Sequence, residues 1–194
     1  VIGVFSRLNY KPWYAIAEFV DNSTQSFYSH QEKLAENGVD GVDVRIDYDS
    51  EKDILTIVDT AFGMELEDFT RAVKIDSPPE DKSGRNEYGM GLKTAASWFG
   101  NIWSVRSTQL GSVNEYYTEI NIPELRKNNI NSVPIRRTKV DYAQHGTTII
   151  IRDITKKVSS PRTKNKITEL LKSMYRRDLN SGLVRIEYDG EPLY

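Results

Sequence analysis

VDVRIDYDSEKDILTIVDTAFGM, residues 42–64, decides the architecture. In VDVRIDY (42–48) valine and isoleucine alternate with aspartate and arginine, the period of a strand with one wet face. DILTIVD (53–59) is a more continuous apolar strand, and DSEKD between the two makes a hairpin turn. The second strand ends in a carboxylate, Asp59, and Gly63-Met64 open MELEDFTRAVKI (64–75), which reads as a helix. A tight hairpin running straight into a helix points to a mixed, mostly antiparallel sheet that helices cover.

Upstream, Pro12 suits the first turn of a helix, and the helical pattern runs to about Glu36, where ENGVDG ends it. Downstream, DSPPEDKSGRNEYGMG (76–91) reads as a long polar loop, of a length that is usually functional. LKTAASWFG begins the next helix, closed by Gly100. Strands are expected at 102–108, 115–122 and 146–152, with 123–145 irregular and polar between them. SSPRTK (159–164) reads as a linker, followed by a helix at 165–178 and a strand at 183–188. The expected class is α/β (α+β): a two-layer sandwich with helices on one face of the sheet.

A chain of 194 residues holds one full domain, or one plus part of another. Its net charge of −2 gives no global pull toward nucleic acid or membrane. Lack of cysteine excludes a disulfide framework and a thiolate metal site. Two histidines, His30 and His145, leave little for a zinc site or a Ser-His triad. No apolar run approaches the roughly 20 residues of a membrane span, and no leader peptide is visible, so no membrane partner is expected. Cytoplasm is the default location, or the nucleus if the source is eukaryotic. The start at Val1 rather than methionine fits a piece of a longer chain.

AEFVDNSTQSF (17–27) carries the chemistry on the first helix. At 100° per residue, with Glu18 at zero, Asn22 falls near ~40°, Gln25 near ~−20° and Asp21 near ~−60°, so the four share a face. A solvated amphipathic face gives such a pattern too. Yet Asp-Asn-Ser-Thr in mid-helix competes with the backbone for hydrogen bonds, and a broken local rule often marks a site. A glutamate can act as a general base, and an amide oxygen one turn on can ligate Mg²⁺. In VDTAFGM (58–64), Asp59 can accept from an exocyclic amine such as adenine's, with Gly63 letting a flat base approach; a plain strand-to-helix turn fits as well. EYGMGLKTAA (87–96) combines Gly89 and Gly91 with a helix N-terminus and Lys93, an anion cradle that lacks both the Walker and the dinucleotide spacing. In HGTTIII (145–151), Thr147 heads a strand from which its hydroxyl can pair with Asp59.

The order of these motifs, E-x-x-x-N on a helix, D-x-x-x-G-M after a strand, a loop with G-x-G-x-K, then G-T on a late strand, resembles the GHKL ATPase family: gyrase B, the ninety-kilodalton heat-shock chaperones, histidine kinases, MutL and the MORC proteins. The resemblance covers about residues 10–155, and EFVDNS and YGMGLK look most like the MORC and chaperone branch, near MutL. It implies a Bergerat fold that binds ATP with Mg²⁺. Glu18 would activate water, Asn22 would hold the metal, and Asp59 would bond the adenine amine with Thr147 beside it. Gly63 and Met64 would line the base pocket, with Ser26 on the same helix face. Tyr88, Gly89, Met90, Gly91, Leu92 and Lys93 would wrap the phosphates, and 76–88 would form an ATP lid.

Two departures stand out. Gln25 and Ser26 replace the family's usual Asp and Ala, and Ala61 replaces the first glycine of D-x-G-x-G. The resemblance also implies a domain boundary, with the ATP-binding domain at 1–158 and the start of a transducer-like domain at 159–194. The leading function is an ATPase whose cycle drives a conformational change and head-to-head homodimerisation through the N-terminal segment, binding ATP and ADP and acting on a DNA or protein client. The basic clusters RRTK (136–139) and KNK (164–166) fit contact with nucleic acid or merely solvated loops. Two alternatives stay open: a nucleotide-binding interaction module with little hydrolysis, and a histidine-kinase-type phosphotransferase.

Overall fold

The structure, a computed structural model, describes residues 11–74 and 90–194, the side chain of Met90 excepted. The expected loop at 76–88, with Tyr88 and Gly89, lies outside the described residues.

The first helix, α1 (Pro12–Ser29), has Pro12 in its first turn. It buries Ile16, Phe19, Val20, Ser23 and Phe27, the three-four spacing of a core-facing stripe. The expected single helix to Glu36 breaks at His30, and α2 (Gln31–Glu36) follows. Strands β1 (Val42–Asp49) and β2 (Ile54–Asp59) form the expected hairpin, with Val44 opposite Asp59. Then come α3 (Leu66–Val73), α4 (Met90–Phe99), β3 (Gly100–Thr108) and β4 (Asn114–Asn121). Helix α4 passes directly into β3 at Gly100, where any side chain would meet the Arg152 carbonyl at 2.5 Å.

The stretch 123–145 is more ordered than its polarity suggested. Asn121 caps α5 (Ile122–Lys127), accepting from the Glu124 N–H at 3.1 Å, and RRTK is an exposed edge strand, β5 (Arg136–Lys139), paired with β4. After β6 (Gly146–Ile154), SSPRTK is no linker: the Ser160 hydroxyl caps α6 (Pro161–Met174) and Pro161 fills its first position. Helix α7 (Arg176–Ser181) ends at Gly182, φ 76°, and leads into β7 (Val184–Tyr188) and β8 (Glu191–Pro192).

Among the described residues eight strands join one sheet in the order β5-β4-β3-β6-β2-β1-β7-β8. Every pairing is antiparallel except β7 with β1, which is parallel because α6 and α7 carry the chain back across the sheet. Alternation sorts the faces: Val44, Ile46, Ile57, Trp103, Ile120, Ile151 and Ile186 are buried under the helices, while Arg45, Asp47, Arg106, Glu119, Arg152 and Arg185 are exposed on the other side. Phe19 of α1 stacks on Phe99 of α4 with centroids 6.3 Å apart, locking the two helices together over the core. This is the two-layer, mostly antiparallel α/β sandwich expected from the hairpin. Among the described residues no helix is long and apolar enough to cross a membrane.

Candidate functional site

Register brings three polar residues into a row. Asp59 ends β2 opposite Thr147 on β6, and Thr147 is opposite Ser107 on β3. All three follow the alternation of Ile57, Ile149 and Val105, so they project toward the helices at the end of the sheet where the core stops. There the apolar layer opens into a cavity of about 270 Å³.

Asp59 is held by three donors. Its Oδ1 accepts from the N–H groups of Ala61 (3.0 Å) and Thr147 (3.1 Å), and its Oδ2 from the Ser23 hydroxyl (2.6 Å). Burial nevertheless pushes the Asp59 carboxyl above its ordinary value, against the pull of these bonds and of His145. A carboxylate has about four lone-pair sites, so Asp59 keeps acceptor capacity toward the cavity it lines.

The 60–64 loop is fastened from both sides. Ser26 Oγ accepts from the Phe62 N–H at 3.2 Å, the His30 ring stacks on Phe62 at 3.9 Å and 7°, and the His145 ring bonds the Ala61 carbonyl through Nδ1 at 2.7 Å. Ser107 Oγ accepts from the Met64 N–H at 2.9 Å and lies 2.8 Å from the Thr147 hydroxyl. The serines that are poor choices for a helix interior thus act as clasps for this loop. Ala61, where the motif has glycine, is buried and avoids positive φ, so the departure is accommodated. Gly63 has no such latitude: φ is 79°, and a Cβ would sit 1.8 Å from the Thr108 carbonyl oxygen. Gly63→Ala should destabilise the fold by more than about 2 kcal/mol and abolish ligand binding, checked by thermal denaturation and calorimetry.

Asn22, Ser26, Asp59 and Thr147 line one cavity together with Gly63, Met64 and Leu92. The Asn22 side-chain nitrogen is buried without a hydrogen-bond partner. Because an amide can turn over about its last torsion, Asn22 can equally present its oxygen to a ligand. Glu18, one turn earlier, is not in the cavity wall; it packs against the first turn of α4, where a methyl on Gly91 would come 2.3 Å from Glu18 Oε2. Lys93 donates from Nζ to the Lys74 carbonyl. The polar face of α1 is also divided: Asn22 turns to the cavity, whereas Asp21 accepts from the Tyr175 hydroxyl. Met90 contributes only its backbone to the described residues, and Tyr88 and Gly89 lie outside them. The sequence by itself assigns no site role to Ser23, Ser107, His30 or His145. Ser23 adjoins Asn22 and was open to notice, but Ser107 acquires meaning only through strand register.

Among the described residues no group of three or more histidines, aspartates or glutamates is placed to hold a metal ion. A cation here would depend on ligands brought by a bound phosphate, with the Asn22 amide as the protein's oxygen, and the orphaned amide fits that use.

A recessed acceptor at a strand end, a glycine-relieved loop and a cavity between α1 and the sheet define the ATP-binding domain of the GHKL type. The chain belongs to the histidine kinase-, DNA gyrase B- and HSP90-like ATPase family, whose model matches residues 10–147. No curated protein matches the chain.

Proposed function

We propose that the chain hydrolyses Mg²⁺-bound ATP in this cavity and that turnover drives a conformational change with homodimerisation. The observation that carries the reading is the pairing of Asp59, a buried acceptor held by three donors, with the Asn22 amide, whose nitrogen is buried without a partner, at one cavity. Asp59 accepts from the base's exocyclic amine, and Thr147 and Ser107 fix the neighbouring edge. Asn22 would hold the cation, which would supply charge to offset that of the phosphates. Glu18 takes a proton from water at its carboxylate; family membership and its place beside Asn22 support that role. Such chemistry is mainly positioning and charge neutralisation. The motifs EFVDNS and YGMGLK support a reading within the MORC and chaperone branch. Residues 159–194, read as the start of a transducer-like segment, are where a change in α1 is passed on.

One observation favours a second reading, nucleotide binding with little hydrolysis: Lys93 is engaged with the Lys74 carbonyl. The phosphotransferase reading has less support, since the His30 ring is stacked on Phe62 and the His145 ring holds the Ala61 carbonyl, both as clasps of the 60–64 loop. Three measurements on one preparation separate the readings: ADP affinity by calorimetry, phosphate release, and retention of label from γ-labelled ATP. Binding with phosphate release and no retained label supports the ATPase. Binding without release favours the module, and retained label the phosphotransferase.

A further inference from the structure

Helix α6 packs against α1, α7 follows it, and Tyr175 sits at the junction of the two. Its residue is 5% exposed, yet its hydroxyl is not idle. It donates to Asp21 Oδ1 and lies 3.3 Å from the Ala17 carbonyl oxygen. Burial, then the Asp21 carboxylate, and more weakly those of Glu18 and Asp178, push the phenol far above its ordinary range, so it remains a donor. Ten residues further along α1 than Glu18, Tyr28 makes a parallel bond to Asp178 of α7. Helix α1 is therefore strapped at two points by the C-terminal helices.

The turn that Tyr175 grips, Ala17 to Asp21, is the one that contains Glu18 and leads into Asn22. Packing alone asks only for the ring; phenylalanine would fill the same space. Asp21 is exposed and would be solvated without help, so the bond is not needed to rescue a buried charge. What the hydroxyl does is fix the turn whose other side sets the Glu18 carboxylate against Gly91. A general base misplaced by about 1 Å loses much of its effect. The base-reading end of α1 is held separately, by Ser23, Ser26 and His30.

We propose that Tyr175 is a positioning residue for Glu18, its hydrogen bond to Asp21 setting the chemical step while leaving nucleotide affinity alone. The proposal rests on the ATPase reading above.

The test compares the wild-type chain with Tyr175→Phe, Asp21→Ala, Asp21→Asn and Glu18→Ala, at a temperature well below each variant's melting point. Tyr175→Phe and Asp21→Ala should each lower kcat for phosphate release about tenfold, with ADP affinity and KM within about twofold. The double variant should be no slower than either single one, because both remove the same bond. Asp21→Asn, which keeps an acceptor oxygen, should retain most of the wild-type kcat. A kcat unchanged in Tyr175→Phe, or a loss that appears in KM instead, overturns the proposal even if stability falls. So does an Asp21→Asn variant as slow as Asp21→Ala. If the wild type releases phosphate no faster than Glu18→Ala, the ATPase reading itself fails and this inference falls with it.

Discussion

Replacing Glu18 by alanine should leave ATP and ADP bound and slow phosphate release by a factor of about 10² or more, the range general-base removal produces. The expectation of retained binding follows from position. Glu18 lies outside the cavity wall that Asn22, Asp59 and Thr147 form, and it packs on Gly91 at the start of α4. Taking away its carboxylate removes no contact to the base, and it relieves the anionic phosphates of a neighbouring negative charge. Affinity should therefore be unchanged or slightly tighter while kcat collapses. Glu18→Gln, which keeps the shape and loses the basic oxygen, should behave like alanine. Equal turnover in wild type and Glu18→Ala would remove this residue from the base role.

Asp59→Asn should weaken ADP binding by about two orders of magnitude while the fold survives. An asparagine fits the hydrogen bonds around it. Its oxygen can keep the N–H groups of Ala61 and Thr147, and its amide nitrogen can donate to Ser23 Oγ in reversed polarity. Toward the cavity, however, it presents a donor where the ligand's amine also donates. Losing a hydrogen bond to a charged group and gaining that clash accounts for the factor. The fold is not harmed by losing the charge. Asp59 binds its proton more tightly folded than unfolded, because burial raises its pKa from 3.8. Its contribution to stability is thus full below the ordinary carboxyl range and is lost as pH rises through the raised value. Once ionised, the buried group is a burden that asparagine lacks. Wild-type affinity should fall as pH drops through the raised pKa, and the variant's residual affinity should show no such limb. Calorimetry across pH, with melting curves beside it, checks both parts; an affinity equal to wild type would contradict the pocket.

The parts of this design that were readable are those whose signals lie within a few residues. The β1–β2 hairpin announces itself through alternation and a turn, and Pro12 marks the start of α1. Asn22, Asp59, Gly63 and Thr147, which line one cavity, stand out in the sequence because each sits in a short motif. What misled was polarity taken as irregular chain or linker. Asn121 and Ser160 both look like loop residues, and both are helix caps whose side chains accept from the N–H three positions on. RRTK reads as a charge cluster, yet pairing with β4 gives its backbone a partner along one edge while all four side chains stay exposed.

Local sequence was sufficient for the hairpin, the core-facing stripe of α1 and the residue types of the site, because hydrophobic period, turn chemistry and backbone permissiveness act over one or two turns of chain. Tertiary structure alone decided that Ser107 stands beside Thr147, that His30 stacks on Phe62, and that Asp21 answers to Tyr175 rather than to the cavity. Each of those contacts joins positions at least 32 apart along the chain. They exist because strand register and helix packing bring distant groups within hydrogen-bond or stacking reach, an outcome that depends on the whole sheet and is written in no single segment.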